Sequence, residues 1–179
     1  FGIGLVLFGL SLMGDAVAPL RGHPRVLAWL TGLERPLAGV AAGALVTVVV
    51  QSSSATVAIA LTLATQGLLT LPAGVAVMLG AEIGTCADTL VATLGRSRAA
   101  QRVGAFHLAF NLLGVAVGVA AIGLLVAAAR AMGGDAARQI ANAHVTFNVL
   151  GAALALTVVG PAARLLARAL PDGPARRAA

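Results

Sequence analysis

Six consecutive residues, Gln51-Ser52-Ser53-Ser54-Ala55-Thr56, place four hydroxyls and a carboxamide between two apolar runs, Pro36 to Val50 and Val57 to Leu69. Hydroxyls and amides both donate and accept, so such a cluster can replace the water around a small ion. A second constellation, Gly80-Ala81-Glu82-Ile83-Gly84-Thr85, sets a carboxylate and a hydroxyl between glycines inside another apolar run. A carboxylate at membrane depth costs at least a few kcal/mol unless it is paired, protonated or bound to a cation. Asp88 lies nearly two helical turns after Glu82 and can share its surroundings, whereas Asp15 sits near the end of an apolar run and reads as interfacial.

Each of these features has a plainer reading. Serine and threonine often bond a preceding carbonyl as glue between membrane helices. Glue needs one face, however, and three consecutive serines point to all sides, which favours a ligand role. An enzyme would take one serine as nucleophile and a histidine as base, but the chain has no G-x-S-x-G elbow and no Ser-His spacing that argues for a dyad. His107 and His144 have no third ligand at metal-site spacing and read as structural histidines.

The elements that hold these residues are set by composition. Of 179 residues, 59% are hydrophobic and 10% charged, against about 25% charged in soluble domains. This is an all-α, polytopic membrane protein. Every one of the 12 basic residues is Arg, giving a net charge of +6. The arginines stand at the ends of apolar runs, as interfacial anchors do, which excludes a nucleic-acid-binding face. The single cysteine, Cys86, excludes an internal disulfide. Phe1 is not an initiator Met and follows no charged leader, so the chain reads as a processed or excised piece.

In chain order, Phe1 to Ala18 reads as a first span ended by Pro19, and Arg21 to Arg35 as an interfacial stretch with a short helix through Val26 to Leu30 and Trp29 at headgroup level. Leu37 to Val50 makes a helix of about 21 Å, too short for a bilayer core of about 30 Å. The runs on either side of Gln51 to Thr56 are therefore expected to be half-helices meeting at a polar tip near the midplane, a re-entrant hairpin or a broken span. Gln66-Gly67 closes this unit and Pro72 opens the next helix. A second break is expected at Gly80 to Thr85. Ser52 or Ser53 is placed to cap the helix after the tip, and Thr85 the helix after the break, so that two helix starts face one cavity. Val103 to Ala129 reads as one long span, Arg130 to Arg138 as a loop, and Ile140 to Val159 as the last span, ended by Gly160-Pro161. Residues 162–179 read as a basic interfacial tail with Arg164, Arg168, Arg176 and Arg177. His107-x-x-Phe110-Asn111 and His144-x-x-Phe147-Asn148 echo each other, each with His, Phe and Asn on one helical face, and these faces are expected to meet each other or the broken elements. If the tip is re-entrant, Arg21, Arg25, Arg35, Arg130 and Arg138 share one side of the membrane. The other arginines share the opposite side, expected to be cytoplasmic.

The Q-S-S-S-A-T stretch, the G-A-E-I-G-T-C stretch about thirty residues later and the two H-x-x-F-N helices, taken in order, resemble the type II sodium-dependent phosphate cotransporter family, over about Phe8 to Leu170. The resemblance implies one inverted-repeat half of a secondary transporter, most like the family's C-terminal half, with residues 1–179 as a single repeat and 162–179 as its tail. A second repeat, upstream or in another subunit, is then a partner, with the lipid bilayer of the bacterial inner (plasma) membrane around both. The family carries Asn where this chain has Glu82, and Asp88 adds a further carboxylate. The site is thus more acidic, which favours cations and disfavours phosphate unless sodium or a proton compensates.

On this reading the chain is a transporter and not an enzyme, with inorganic phosphate or another small anion as substrate and sodium as coupling ion. Gln51, Ser52, Ser53, Ser54, Thr56, Gly84 and Thr85 are the expected substrate-binding residues. Gln51, Glu82 and Asp88 are the expected ion-coupling residues, with Glu82 ligating sodium. Anion oxygens would meet backbone N–H groups at the two helix starts, where free donors and partial positive charge coincide. Two alternatives stay open. One is a cation- or proton-coupled carrier of another solute with Glu82 protonating in each cycle, and the other is a membrane subunit that does not transport.

Overall fold

The computed structural model describes residues 1–172. Its helices are α1 (Gly2–Val17), α2 (Pro24–Gly32), α3 (Pro36–Val50), α4 (Ser53–Thr65), α5 (Leu71–Thr93), α6 (Arg98–Ala120), α7 (Ile122–Ala131) and α8 (Ala136–Ala169), with a 3-10 turn over Ala18–Gly22 after α1. Among the described residues, four helical stretches are long and apolar enough to cross a membrane: Gly2–Gly22, Leu71–Thr93, Arg98–Ala120 and Ala136–Ala169. The large apolar side chains on their outer faces are exposed, among them Leu7, Leu113, Val117 and Leu156. Lipid is the solvent such faces match.

Helix α5 is the centre of the molecule. Val75, Ala76, Met78, Leu79 and Ala81 along it are fully buried, and α3, α4, α6, α7 and α8 all pack on it. Helix α3 runs beside it in the same direction. A Cβ on Gly39 would meet Ala76, one on Gly43 would meet the backbone of Val77, one on Gly80 the backbone of Val40 and Ala44, and one on Gly84 the side chain of Thr47. The two G-x-x-x-G stretches thus face each other and let the backbones touch.

Hydrogen bonds between distant residues fix which ends lie together. Gln66 Nε2 donates to the carbonyl of Gly14 at 2.6 Å, and Thr70 Oγ1 donates to Glu34 Oε1 at 2.8 Å. The end of α1, the start of α3 and the end of α4 therefore share one face, and α3 and α4 form a hairpin that departs from and returns to it. Helices α2 and α3 meet at 109°. At the opposite face Arg102, early in α6, donates from Nε and Nη2 to the carbonyl of Leu170 at 2.9 and 2.7 Å and pairs with Asp172 at 2.8 Å. This arrangement separates Arg21, Arg25, Arg35, Arg130 and Arg138 from Arg96, Arg98, Arg102, Arg164 and Arg168.

Three sequence expectations are corrected. First, α5 is continuous through Gly80 to Thr85. Thr85 does not cap a new helix: its hydroxyl donates back to the carbonyl of Ala81 at 3.0 Å. The glycines serve close approach to α3, and in lipid a helix that keeps its ladder leaves no backbone group unmet. Second, the run from Val103 to Ala129 is split at Ala121 (φ −103°, ψ 18°), where α6 ends and α7 begins. A sequence apolar on both sides of Ala121 carries no periodicity that would show the break. Third, the last helix does not stop at Gly160-Pro161 but passes through Pro161 to Ala169. Proline removes one N–H from the ladder, a loss membrane helices tolerate, and Arg102 holds the far end. The start of the supposed tail is thus helix, while Arg176 and Arg177 lie outside the described residues.

Candidate functional site

The tip is built from the last turn of α3 and the first of α4. Gln51 ends α3 in the left-handed region (φ 57°, ψ 33°), with its N–H on the carbonyl of Thr47 at 2.6 Å. Left-handed backbone is uncommon for a residue with a Cβ, and this one residue turns the chain. Ser52 is extended and caps α4, its Oγ accepting from the N–H of Ala55 at 3.2 Å. The Ser52 carbonyl accepts the N–H of Thr56 at 3.1 Å and its hydroxyl at 3.2 Å. The N–H groups of Ser53 and Ser54 stand before the first intrahelical bond of α4 and point out of its positive end. Gln51 and Ser54 are exposed and Ser52 and Ser53 half-buried, whereas Thr56 is buried.

Thr47 was not among the residues the sequence singled out. It is 1% exposed, like Thr56, and its Oγ1 donates to Thr56 Oγ1 at 2.8 Å across the hairpin. Its other side abuts Gly84. Thus Gly84 and Thr56 come together through Thr47. The sequence signal was a threonine one turn before the glutamine, inconspicuous inside an apolar run.

Glu82 is the middle residue of α5, and Thr47, one turn before the tip, lies against Gly84 two residues further along. The Glu82 carboxylate turns toward α8. Its Oε1 accepts from Asn148 Nδ2 at 2.8 Å and lies 3.3 Å from His144 Nε2. The first H-x-x-F-N helix docks on α5 one level further along: His107 Nδ1 and Thr89 Oγ1 are 2.8 Å apart. In both copies the Asn side chain also donates to the carbonyl of its own His, at 3.0 Å for Asn111 and 3.1 Å for Asn148. The two echoing faces therefore meet α5, which is a continuous helix and not the broken element expected. Thr85 turns back on its own helix, and Asp88 lies on an exposed side of α5. With α5 unbroken, the tip holds one helix N-terminus, that of α4, in place of the two expected.

Known proteins are similar to part of this sequence. The chain is 28% identical over 119 residues to YqeW of Bacillus subtilis strain 168, an uncharacterized protein, covering 65% of this chain and 38% of that one. It is 31% identical over 116 residues, 63% of this chain and 21% of the relative, to YjbB of Escherichia coli K12, provisionally named an inorganic phosphate export protein. It is 34% identical over 91 residues, 48% of this chain and 14% of the relative, to the sodium-dependent phosphate transport protein 2A of Ovis aries. The chain thus spans well under half the length of these relatives. No solved structure matches it. Residues 5–158 match the model of the family described as Na+/Pi-cotransporter. With its apolar spanning helices and that match over most of its length, the chain is an integral membrane protein and belongs to the Na+/Pi-cotransporter family.

Proposed function

We propose that residues 1–179 form one repeat of a sodium-coupled carrier of inorganic phosphate in a bacterial inner membrane, with the α3–α4 hairpin re-entrant and its tip forming one wall of the solute site. The observation that carries this reading is the Ser52-capped start of α4, with the N–H groups of Ser53 and Ser54 unspent. Free amides, hydroxyls and the helix dipole hold an anion without an arginine. The names of the Escherichia coli and Ovis aries relatives point to phosphate.

The opposite wall is an inverted second repeat, upstream or on another subunit, bringing the second helix start that α5 does not supply. Gln51, Ser52, Ser53, Ser54 and Thr56 face or support the anion, and Gly84 and Thr85 support the tip from α5. Sodium takes the carbonyl of the turn at Gln51, the Gln51 side chain and the Glu82 carboxylate, with Asp88 adding negative potential. Anion and cation each lower the burial cost of the other, so each strengthens the other's binding.

The Glu82–His144 contact favours a second reading, in which a proton shared by that pair replaces sodium. Proteoliposomes holding the natural protein that carries these residues separate the two. Phosphate uptake that follows an imposed sodium gradient supports the first, and uptake that follows a proton gradient and ignores sodium supports the second. Absence of phosphate movement under either gradient rejects phosphate as the substrate.

A further inference from the structure

Thr47 grips the tip at both of its ends. Its carbonyl accepts the N–H of Gln51, the residue that turns the chain, at 2.6 Å. Its hydroxyl donates to Thr56 Oγ1 at 2.8 Å, and the Thr56 hydroxyl donates in turn to the carbonyl of Ser52 at 3.2 Å. With the Thr56 proton on the Ser52 carbonyl, Thr56 accepts from Thr47.

The relay ends on a peptide plane. The Ser52 carbonyl and the Ser53 N–H belong to the same rigid unit and point in opposite directions. Holding the carbonyl down the axis of α4 therefore holds the Ser53 N–H out of its end, where an anion would sit. The methyl of Thr47 is equally placed. It lies against Gly84, where any Cβ would collide with it, so α5 carries the relay at a fixed depth.

We infer that Thr47 is a positioning residue for the solute site: through Thr56 and the Ser52–Ser53 peptide it aims the first amide of α4, and through Gly84 it registers that amide against α5. The inference rests on the tip being the solute site. A purely structural threonine would need only its shape in the seam, and valine has that shape; the inference requires the hydroxyl.

The test compares Thr47→Val, which keeps the branched shape and loses the donor, with Thr47→Ser, which keeps the donor. Both are made in the natural protein, and each is also combined with Ser53→Cys and Cys86→Ser so that a charged thiol reagent reports on the tip. Thr47→Val is expected to raise the phosphate concentration for half-maximal uptake about two- to tenfold, the loss of one hydrogen bond, with maximal uptake per surface molecule nearly kept. Thr47→Ser is expected to restore it. The labelling rate at Ser53→Cys is expected to change in the Val variant and return in the Ser variant.

An unchanged half-saturation and an unchanged labelling rate in Thr47→Val overturn the inference. So does a loss of surface amount that is equal in both variants with no change per molecule. If the parent protein moves no phosphate, the proposed function fails while labelling still decides whether Thr47 positions the tip.

Discussion

Asn148 Nδ2 lies 2.8 Å from Oε1 of Glu82 and 3.1 Å from the carbonyl of His144, so one amide ties the middle of α5 to α8 and to the histidine that also faces the carboxylate. The NH2 group has two protons, one for each acceptor. Glu82 at mid-depth is thus met by an amide and an imidazole on the same oxygen.

Replacing Glu82 by Gln keeps an oxygen for Asn148 and removes the charge. Folded amount is expected to stay near the parent's, while the sodium concentration for half-maximal phosphate uptake rises several-fold. Glu82→Leu is expected to behave differently, because it takes from the half-buried His144 the oxygen it faces, and an unmet partner costs about 1–3 kcal/mol. Detergent-extract melting and a sodium titration of uptake separate the two effects.

Among the tip serines, Ser52 has a backbone task that Ser54 lacks. Ser52→Ala removes the cap of α4 and is expected to cost about 1 kcal/mol of local stability, with a several-fold fall in uptake. Ser54→Ala leaves the cap intact, so its effect is expected on uptake alone. Transport per surface molecule, read with melting of the same preparations, checks the distinction. Unchanged uptake in Ser52→Ala, Ser53→Ala and Ser54→Ala alike would make all three packing residues.

The glycine seam gives a stability prediction independent of transport. Gly43→Val or Gly80→Val places atoms on the backbone of the facing helix, and overpacking of this kind costs about 1–3 kcal/mol or more. Gly123→Ala, which points into open space, serves as the control. Thermal unfolding midpoints are expected to fall for the first two and hardly move for the third.

Arg102→Ala should release the end of α8. The two bonds from its guanidinium to the Leu170 carbonyl are charge-assisted, a class in which a bond contributes roughly 1.5–3 kcal/mol. Faster amide hydrogen exchange is expected over residues 166–170. Asp172→Asn is expected to change exchange little, since Asp172 is 78% exposed and exposed ion pairs contribute little.

The polar tip was readable because Q-S-S-S interrupts runs too short to span, and a Ser before a new apolar helix is a cap signal. Ser52 fills that role, Pro72 sits in the first turn of α5, and the His-Phe-Asn faces dock on α5. The second break was misread for a physical reason. A glycine pair in an apolar run serves either to interrupt a helix or to admit a neighbouring backbone, and both uses rest on the same missing Cβ. Only the partner distinguishes them, and the partner of Gly80 and Gly84 is α3, some forty residues earlier. Thr47 escaped notice because a lone hydroxyl in an apolar helix has many uses. Its importance comes from Thr56 and Gly84 standing on either side of it.

The same seam also limits how the molecule can move. Val40 and Ala44 of α3 bracket Gly80, and Val77 fills the notch at Gly43, so bumps and hollows repeat once per turn along both helices. Between registers every bump would ride over another, and the next register lies a full turn away, about 5.4 Å. Small slides of α3 along α5 are therefore blocked. A movement of α3 must carry α5 with it as a single body, or advance by a whole ratchet step.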